Sequence, residues 1–161
     1  GSSAHIVIQI ARHWGCDVYV CSRNESHAQL AMSLGARWAG SRAEEMPVRT
    51  DSAIIFAPAG SLVPVALERL SKGGTLALAG IYMSEIPPMD YERHLFYEKN
   101  VRSVTANTRR DGIELLETAA SIPIRPKVQL FPISAANQAL RDLKEDRING
   151  SGVLLMDPEG E

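Results

Sequence analysis

Two runs, Ser52–Ala57 (SAIIFA) and Thr75–Gly80 (TLALAG), are apolar at nearly every position; Pro58 closes the first and the turn Lys72-Gly-Gly74 opens the second. A strand with one face in water alternates polar and apolar residues, so uninterrupted runs of this length predict strands covered on both faces. Between them, Leu62–Leu70 carries its apolar residues at helical spacing. Strand, helix and strand in that order make a parallel sheet with helices packed against it, because parallel neighbours need a crossover. The chain is therefore expected to be α/β, a doubly wound parallel sheet.

The flanking sequence extends the pattern. Ala4–Trp14 predicts a helix with a buried stripe of Ile6, Ile10 and Trp14, capped by Gly15, and Asp17–Cys21 predicts a buried strand ending in the polar stretch Ser22–Glu25. Ser26–Leu34 predicts a helix stopped by Gly35, and Ala36–Ala39 a brief strand. Beyond Ile86-Pro-Pro88 the order becomes a short aromatic-rich helix at Tyr91–Tyr97, a strand at Val101–Ala106 and a helix at Asp111–Ala120. After Pro123 and Pro126 come a strand at Val128–Ile133, a helix capped by Ser134 and running to about Asp146, and a strand at Gly152–Met156. This last strand-helix-strand stretch reads as an appendage. Residues 1–126 form the expected main domain and 127–161 a separate C-terminal segment.

With 161 residues, 45% of them hydrophobic, and a formal charge of -2, the chain can bury one core and shows no broad basic face for nucleic acid. No apolar run reaches the roughly 18–20 residues that cross a bilayer, so a cytoplasmic location is expected. Cys16 and Cys21 are the only cysteines, and their apolar surroundings favour reduced core thiols over a disulfide.

Gly1-Ser2-Ser3 directly precedes a helix, where a dinucleotide fold turns its backbone toward a pyrophosphate. A capped helix start behind a flexible leader explains the same letters. The strand that ends at Ser22 stops where such folds meet the adenosine ribose, and an acid there would accept the ribose hydroxyls. Ser22-Arg23 instead suits a 2′-phosphate, which a guanidinium binds as a forked pair, with His27 one turn onward to assist; the alternative is a solvated loop cation. These features point to NADP, with NAD as the alternative.

Together the runs GSSAHIVIQIARHWG, AIIFAPAG, KGGTLALAGI and SVTANTRRDG resemble the medium-chain, zinc-dependent alcohol dehydrogenases over nearly the whole chain. The resemblance implies the Rossmann fold and a cofactor site made of Gly1, Ser2 and Ser3 at the pyrophosphate, Ser22, Arg23 and His27 at the ribose, Ala57, Pro58 and Ala59 after one strand, and Gly80, Ile81 and Tyr82 after the next, with Asn107 beside them. It also implies an oxidoreductase moving a hydride between nicotinamide and an alcohol or aldehyde, and a homo-oligomer. The family's zinc is held by an N-terminal domain; His5, His13, His27 and His94 are scattered here, so no metal ligand and no catalytic residue is assigned within these residues, and the chain alone is expected to be inactive.

The family's first strand and first fingerprint glycine would precede Gly1. In a sheet ordered 3-2-1-4-5-6, the gap between the strands at Tyr19 and Ile55 would be filled by an upstream segment, by a partner chain, or by Gly152–Met156. The competing readings are a zinc-free quinone or enoyl reductase, a methyltransferase, disfavoured by Ser22 where an acid is usual, and a nucleotide-sensing module that regulates a partner.

Overall fold

The computed structural model describes residues 1–156; residues 157–161 of the C-terminal segment lie outside the described residues. All strand pairings are parallel, and the strands fall into sheets of two, three and two. The chain divides into two compact units, one made of 1–41 with 114–161, the other of 42–113.

In the first unit, α1 (Ser2–His13) leads into β1 (Tyr19–Cys21), α2 (Glu25–Ser33) and β2 (Trp38–Gly40), with β1 and β2 paired from Tyr19↔Trp38 to Cys21↔Gly40. Both helices end as their glycines require. Gly15 (φ +81°) and Gly35 (φ +94°) are left-handed, and each follows with a pair of backbone bonds to the last turn: Gly15 N to Arg12 O and Cys16 N to Ala11 O, then Gly35 N to Met32 O and Ala36 N to Ala31 O. This closure satisfies carbonyls that the helix leaves unpaired. Ile8, Ala31 and Ala36 form the core, with Val18, Val20, Leu34 and Ala39 against it. Ile8 is therefore the deepest apolar residue of α1, not the expected stripe of Ile6, Ile10 and Trp14; Trp14 is 69% exposed, lying at the helix end beyond its packed face.

The C-terminal part of this unit carries β6 (Val128–Pro132) and β7 (Ser151–Leu155), paired throughout, with α6 (Ala136–Lys144) between them in sequence. Ser134 does not cap α6. It sits in a 3-10 turn over Ile133–Ala135, and the helix starts after Ala135 without a side-chain cap. β6 and β7 form a two-stranded sheet separate from that of β1 and β2, so β7 does not pair with β1.

The second unit is built on β3 (Thr50–Ile55), β4 (Leu70–Leu78) and β5 (Asn100–Ser103), with α3 (Leu62–Arg69) crossing from β3 to β4 and α4 (Tyr91–His94) preceding β5; α5 (Arg109–Ser121) begins in this unit and continues into the first. Its core is Ile55, Val63, Leu67, Leu70 and Leu76. Two differences from the sequence expectation have local causes. The Lys72-Gly73-Gly74 turn lies inside β4, which begins earlier than expected; Gly73 (φ +74°) supplies the left-handed residue and the β3–β4 register shifts there. And β3 is not covered alike on both faces: Ile55 is buried under α3, whereas Ile54, pointing the other way, is 47% exposed.

Cys16 and Cys21 are exposed and form no disulfide, against the expected core placement. Cys16 follows the glycine that ends α1, and Cys21 is the last residue of a strand paired on one edge.

Candidate cofactor-binding site

In the first unit, α1 starts immediately after Gly1 with no side-chain cap and no acidic residue in its first turn. Its leading amides and the positive end of its dipole are thus available to an anion. The Ser2 hydroxyl lies 2.5 Å from that of Ser151, at the start of β7, while Ser3 is exposed.

Ser22 closes β1 through its amide on Gly40 O (2.9 Å), and its hydroxyl is bracketed by the backbone of Asn24, accepting from Asn24 N and donating to Asn24 O, each at 3.3 Å. Arg23 is exposed at the head of this loop. His27 is mostly buried, and its Nε2 lies 3.1 Å from Ile148 O, so that nitrogen donates; its Nδ1 is 3.9 Å from Asp146 Oδ1. Asn24 donates to both the carbonyl and the carboxylate of Asp146, each at 3.1 Å. Asp146 has a left-handed backbone (φ 57°). Asp146 thus braces the loop Ser22–His27, and Ser151 meets Ser2 at the start of α1. Neither Asp146 nor Ser151 was legible as a site neighbour: Lys144-Glu145-Asp146-Arg147 reads as a solvated helix end, and the contact with Asn24 spans 122 residues.

In the second unit, Ala57–Ala59, Gly80–Tyr82 and Asn107 follow β3, β4 and β5, at the carboxyl edge of one parallel sheet, where open α/β sheets bind ligands. The first two loops are clamped together. Gly60 N donates to Ser84 Oγ (2.9 Å), Ser84 N to Pro58 O (3.3 Å) and Ala79 N to Ile55 O (2.9 Å). The clamp explains two glycines: a Cβ on Gly60 would overlap the carbonyls of Ser84 and Glu85, and one on Gly80 would stand 3.1 Å from Ala57 O. Ile81 and Tyr82 are held outward, 96% and 91% exposed. Asn107 precedes Thr108, which caps α5 with Asp111: the Asp111 carboxylate accepts from the Thr108 amide (2.6 Å) and hydroxyl (2.7 Å), and these two bonds hold its pKa below the usual value, the amide contributing most.

At the opposite, amino edge of the same sheet a half-open cavity of about 580 Å³ is lined by Arg49, Arg69, Lys72, Arg93 and Lys99 with Glu44 and Glu68. Two of its cations, Arg49 and Lys99, serve the end of α3. Arg49 donates to Glu68 O (2.5 Å) and Leu70 O (3.1 Å), and Lys99, its pKa lowered first by burial and then by Arg49, donates to Leu67 O (2.7 Å). Positive groups on the last carbonyls of a helix offset its negative end.

Among the described residues no three His, Cys, Asp or Glu side chains are grouped to hold a metal ion, and no helix is long and apolar enough to cross a membrane.

Residues 4–121 match the family described as "Zinc-binding dehydrogenase". The chain belongs to that family. It is 44% identical over 156 residues to a protein of Mycobacterium tuberculosis (strain CDC 1551 / Oshkosh) named "Probable alcohol dehydrogenase AdhA", covering 97% of this chain and 45% of that one. The fold is that of a solved Helicobacter pylori structure described as CAD complexed with NADP(H), with TM-score 0.85 at 20% identity over 99% of this chain and 47% of the other. It is equally the fold of part of the crotonyl-CoA carboxylase/reductase AntE V350A in complex with NADP, with TM-score 0.83 at 14% identity over 97% of this chain and 47% of that one. The parallel α/β arrangement is thus the Rossmann-type fold expected from the sequence. The chain spans about half the length of the relatives it matches.

Proposed function

We propose that this chain is the nicotinamide-dinucleotide-binding part, residues 1–126, of an oxidoreductase that moves a hydride between NADP and an alcohol or aldehyde, with 127–161 packing on the domain that carries the substrate. The observation that carries the reading is the uncapped, acid-free start of α1 in a chain of the zinc-binding dehydrogenase family. The first amides of α1, with the hydroxyls of Ser2 and Ser3, bind the pyrophosphate. Ser22 and Arg23 take the 2′-phosphate, and His27 holds their loop by its bond to Ile148 O. Ala57, Pro58 and Ala59 line the adenosine half; Gly80, Ile81, Tyr82 and Asn107 line the nicotinamide end. When bound, the nicotinamide supplies or accepts the hydride, and these residues orient it and contribute no acid, base or nucleophile. Zinc, where the whole protein uses it, is held outside these residues. A homo-oligomer in the cytoplasm goes with this reading.

Arg23→Ala is expected to weaken NADPH binding by about 1–3 kcal/mol, the worth of a charge-assisted contact, and to leave NADH nearly unchanged. Titration of nicotinamide fluorescence checks this; equal losses for the two cofactors would make Arg23 structural. Unphosphorylated NAD has one observation in its favour, the Asp146 carboxylate beside Asn24, which suits ribose hydroxyls better than a phosphate. The chain alone is also expected to bind cofactor without oxidising alcohols or reducing aldehydes. Zinc-dependent turnover by residues 1–161 would defeat that assignment of roles.

A zinc-free reductase is the second reading, since a carboxylase/reductase in complex with NADP shares this fold. The two differ in whether the rest of the whole protein presents zinc ligands, and metal analysis of that protein separates them.

A further inference from the structure

His5 and Gln9 stand one helical turn apart on α1 and are spent entirely on backbone partners. His5 is only 2% exposed. Its Nε2 lies 3.1 Å from the amide nitrogen of Lys127, and its Nδ1 lies 3.2 Å from Gly1 O. A backbone amide can only donate, so Nε2 must carry the lone pair; the proton of the neutral ring is then on Nδ1 and is donated to Gly1 O. Gln9 pairs reciprocally with Arg125, accepting from its amide (2.9 Å) and donating to its carbonyl (3.2 Å).

These contacts close a ring. Gly1 O is held by His5, and His5 by Lys127 N; Lys127 O accepts from Ser151 N at 2.9 Å, and the Ser151 hydroxyl returns to Ser2 at 2.5 Å. Its members come from the start of α1, the entry to β6 and the entry to β7. The turn at Gly1–Ser2 is thus fixed by groups more than a hundred residues distant in sequence, and among the described residues His5 is the side chain that joins it to Lys127 directly.

We propose that His5, as its neutral Nδ1–H tautomer, is a positioning residue that presets the turn Gly1–Ser3 for the phosphates of the dinucleotide. The inference rests on the reading of that turn as the pyrophosphate site. His5 touches no cofactor atom; it acts by holding the Gly1 carbonyl back against the helix, which leaves the leading amides of α1 facing outward. Preorganised amides bind an anion without first losing conformational freedom, so loosening the turn costs affinity.

The test uses the full chain and four probes: NADPH, adenosine 2′-monophosphate, which lacks the pyrophosphate, imidazole ¹⁵N shifts, and thermal unfolding. His5→Leu removes both bonds and is expected to weaken NADPH binding by roughly tenfold, the loss of one or two neutral hydrogen bonds, while leaving adenosine 2′-monophosphate unchanged. His5→Gln offers a donor and an acceptor on one amide group and is expected to bind NADPH within about threefold of the wild type. The wild-type spectrum should show protonated Nδ1 and unprotonated Nε2, which remains decisive if His5→Leu fails to fold. The reverse tautomer overturns the proposal. So does wild-type NADPH affinity in His5→Leu, or a loss in His5→Gln as large as in His5→Leu. If Arg23→Ala weakens NADPH and His5→Leu does not, the cofactor reading stands and the role of His5 falls. If the wild type binds adenosine 2′-monophosphate but gains nothing from the rest of NADPH, the reading of Gly1–Ser3 falls and takes this inference with it.

Discussion

Leu67→Ala is expected to destabilise the chain by about 2–5 kcal/mol, the range for emptying a fully buried leucine site. Leu67 lies in the middle of α3 with no exposed surface, among Ile55, Val63, Leu70 and Leu76. The helix contributes Val63 and Leu67 from one face, four residues apart, and the strands supply the other side of the site. Because β3 and β4 are paired through Ile55↔Leu78, the surrounding backbone cannot close on the void without disturbing the ladder, and the loss should fall in the upper part of the range. Leu62, on the same helix but 41% exposed, is the control: its alanine variant should cost well under half as much. Urea midpoints at constant slope measure both. A loss below about 1 kcal/mol at Leu67 would mean that the second unit is not packed around this residue.

Gly150→Ala should be nearly as damaging, for a different reason. Gly150 is left-handed at φ +103°, and a Cβ there would overlap the Lys127 carbonyl oxygen. The strain and the overlap each cost about 1–3 kcal/mol, so a loss of roughly 2–6 kcal/mol is expected. Relief requires moving Lys127 away from β7, and Lys127 O is the acceptor of Ser151 N. The variant should therefore also loosen the Ser2–Ser151 contact and weaken NADPH, whereas Leu67→Ala, located in the other unit, should affect stability first. Gly112 gives the contrast: within α5, with ordinary helical backbone and open space around its Cα, its alanine variant should be neutral or more stable by up to about 1 kcal/mol. Thermal melts of the two variants distinguish them; a Gly150→Ala melt matching the wild type would show that the loop before β7 can adopt another path.

The glycine caps of α1 and α2 were legible because the signal is local: a helical stripe, then a residue free to turn left-handed. The start of α6 was not, although Ser134 has the chemistry of a cap, because Ser134 lies inside a 3-10 turn that moves the first residue of α6 past it. Burial was partly legible. The run AIIFA announced a strand, but it could not say that Ile55 would be covered by α3 and Ile54 left half exposed, since the cover comes from another element. The same limit applied to the thiols, whose apolar neighbours in sequence are not their neighbours in space.

At the candidate site the division is similar. Gly1–Ser3, Ser22–Arg23, Ala57–Ala59 and Gly80–Tyr82 could be nominated because they follow strands or open a helix, and position at an element's end is a property of the local chain. Asp146, Ser151 and His5 could not be nominated. Their partners are set by contacts across 122 residues between His5 and Lys127, 122 between Asn24 and Asp146, and 149 between Ser2 and Ser151.

The amino-acid sequence by itself determined the order of the elements, the parallel α/β class and most helix ends, because periodicity, β-branched runs and glycine's access to positive φ act over a few residues. Tertiary structure alone decided the registers, which faces are covered, the tautomer of His5 and the place of Asp146 beside the loop after β1. Each of those depends on which distant backbone group arrives to donate or accept, and a hydrogen bond is chosen by proximity in space, which only the closed fold supplies.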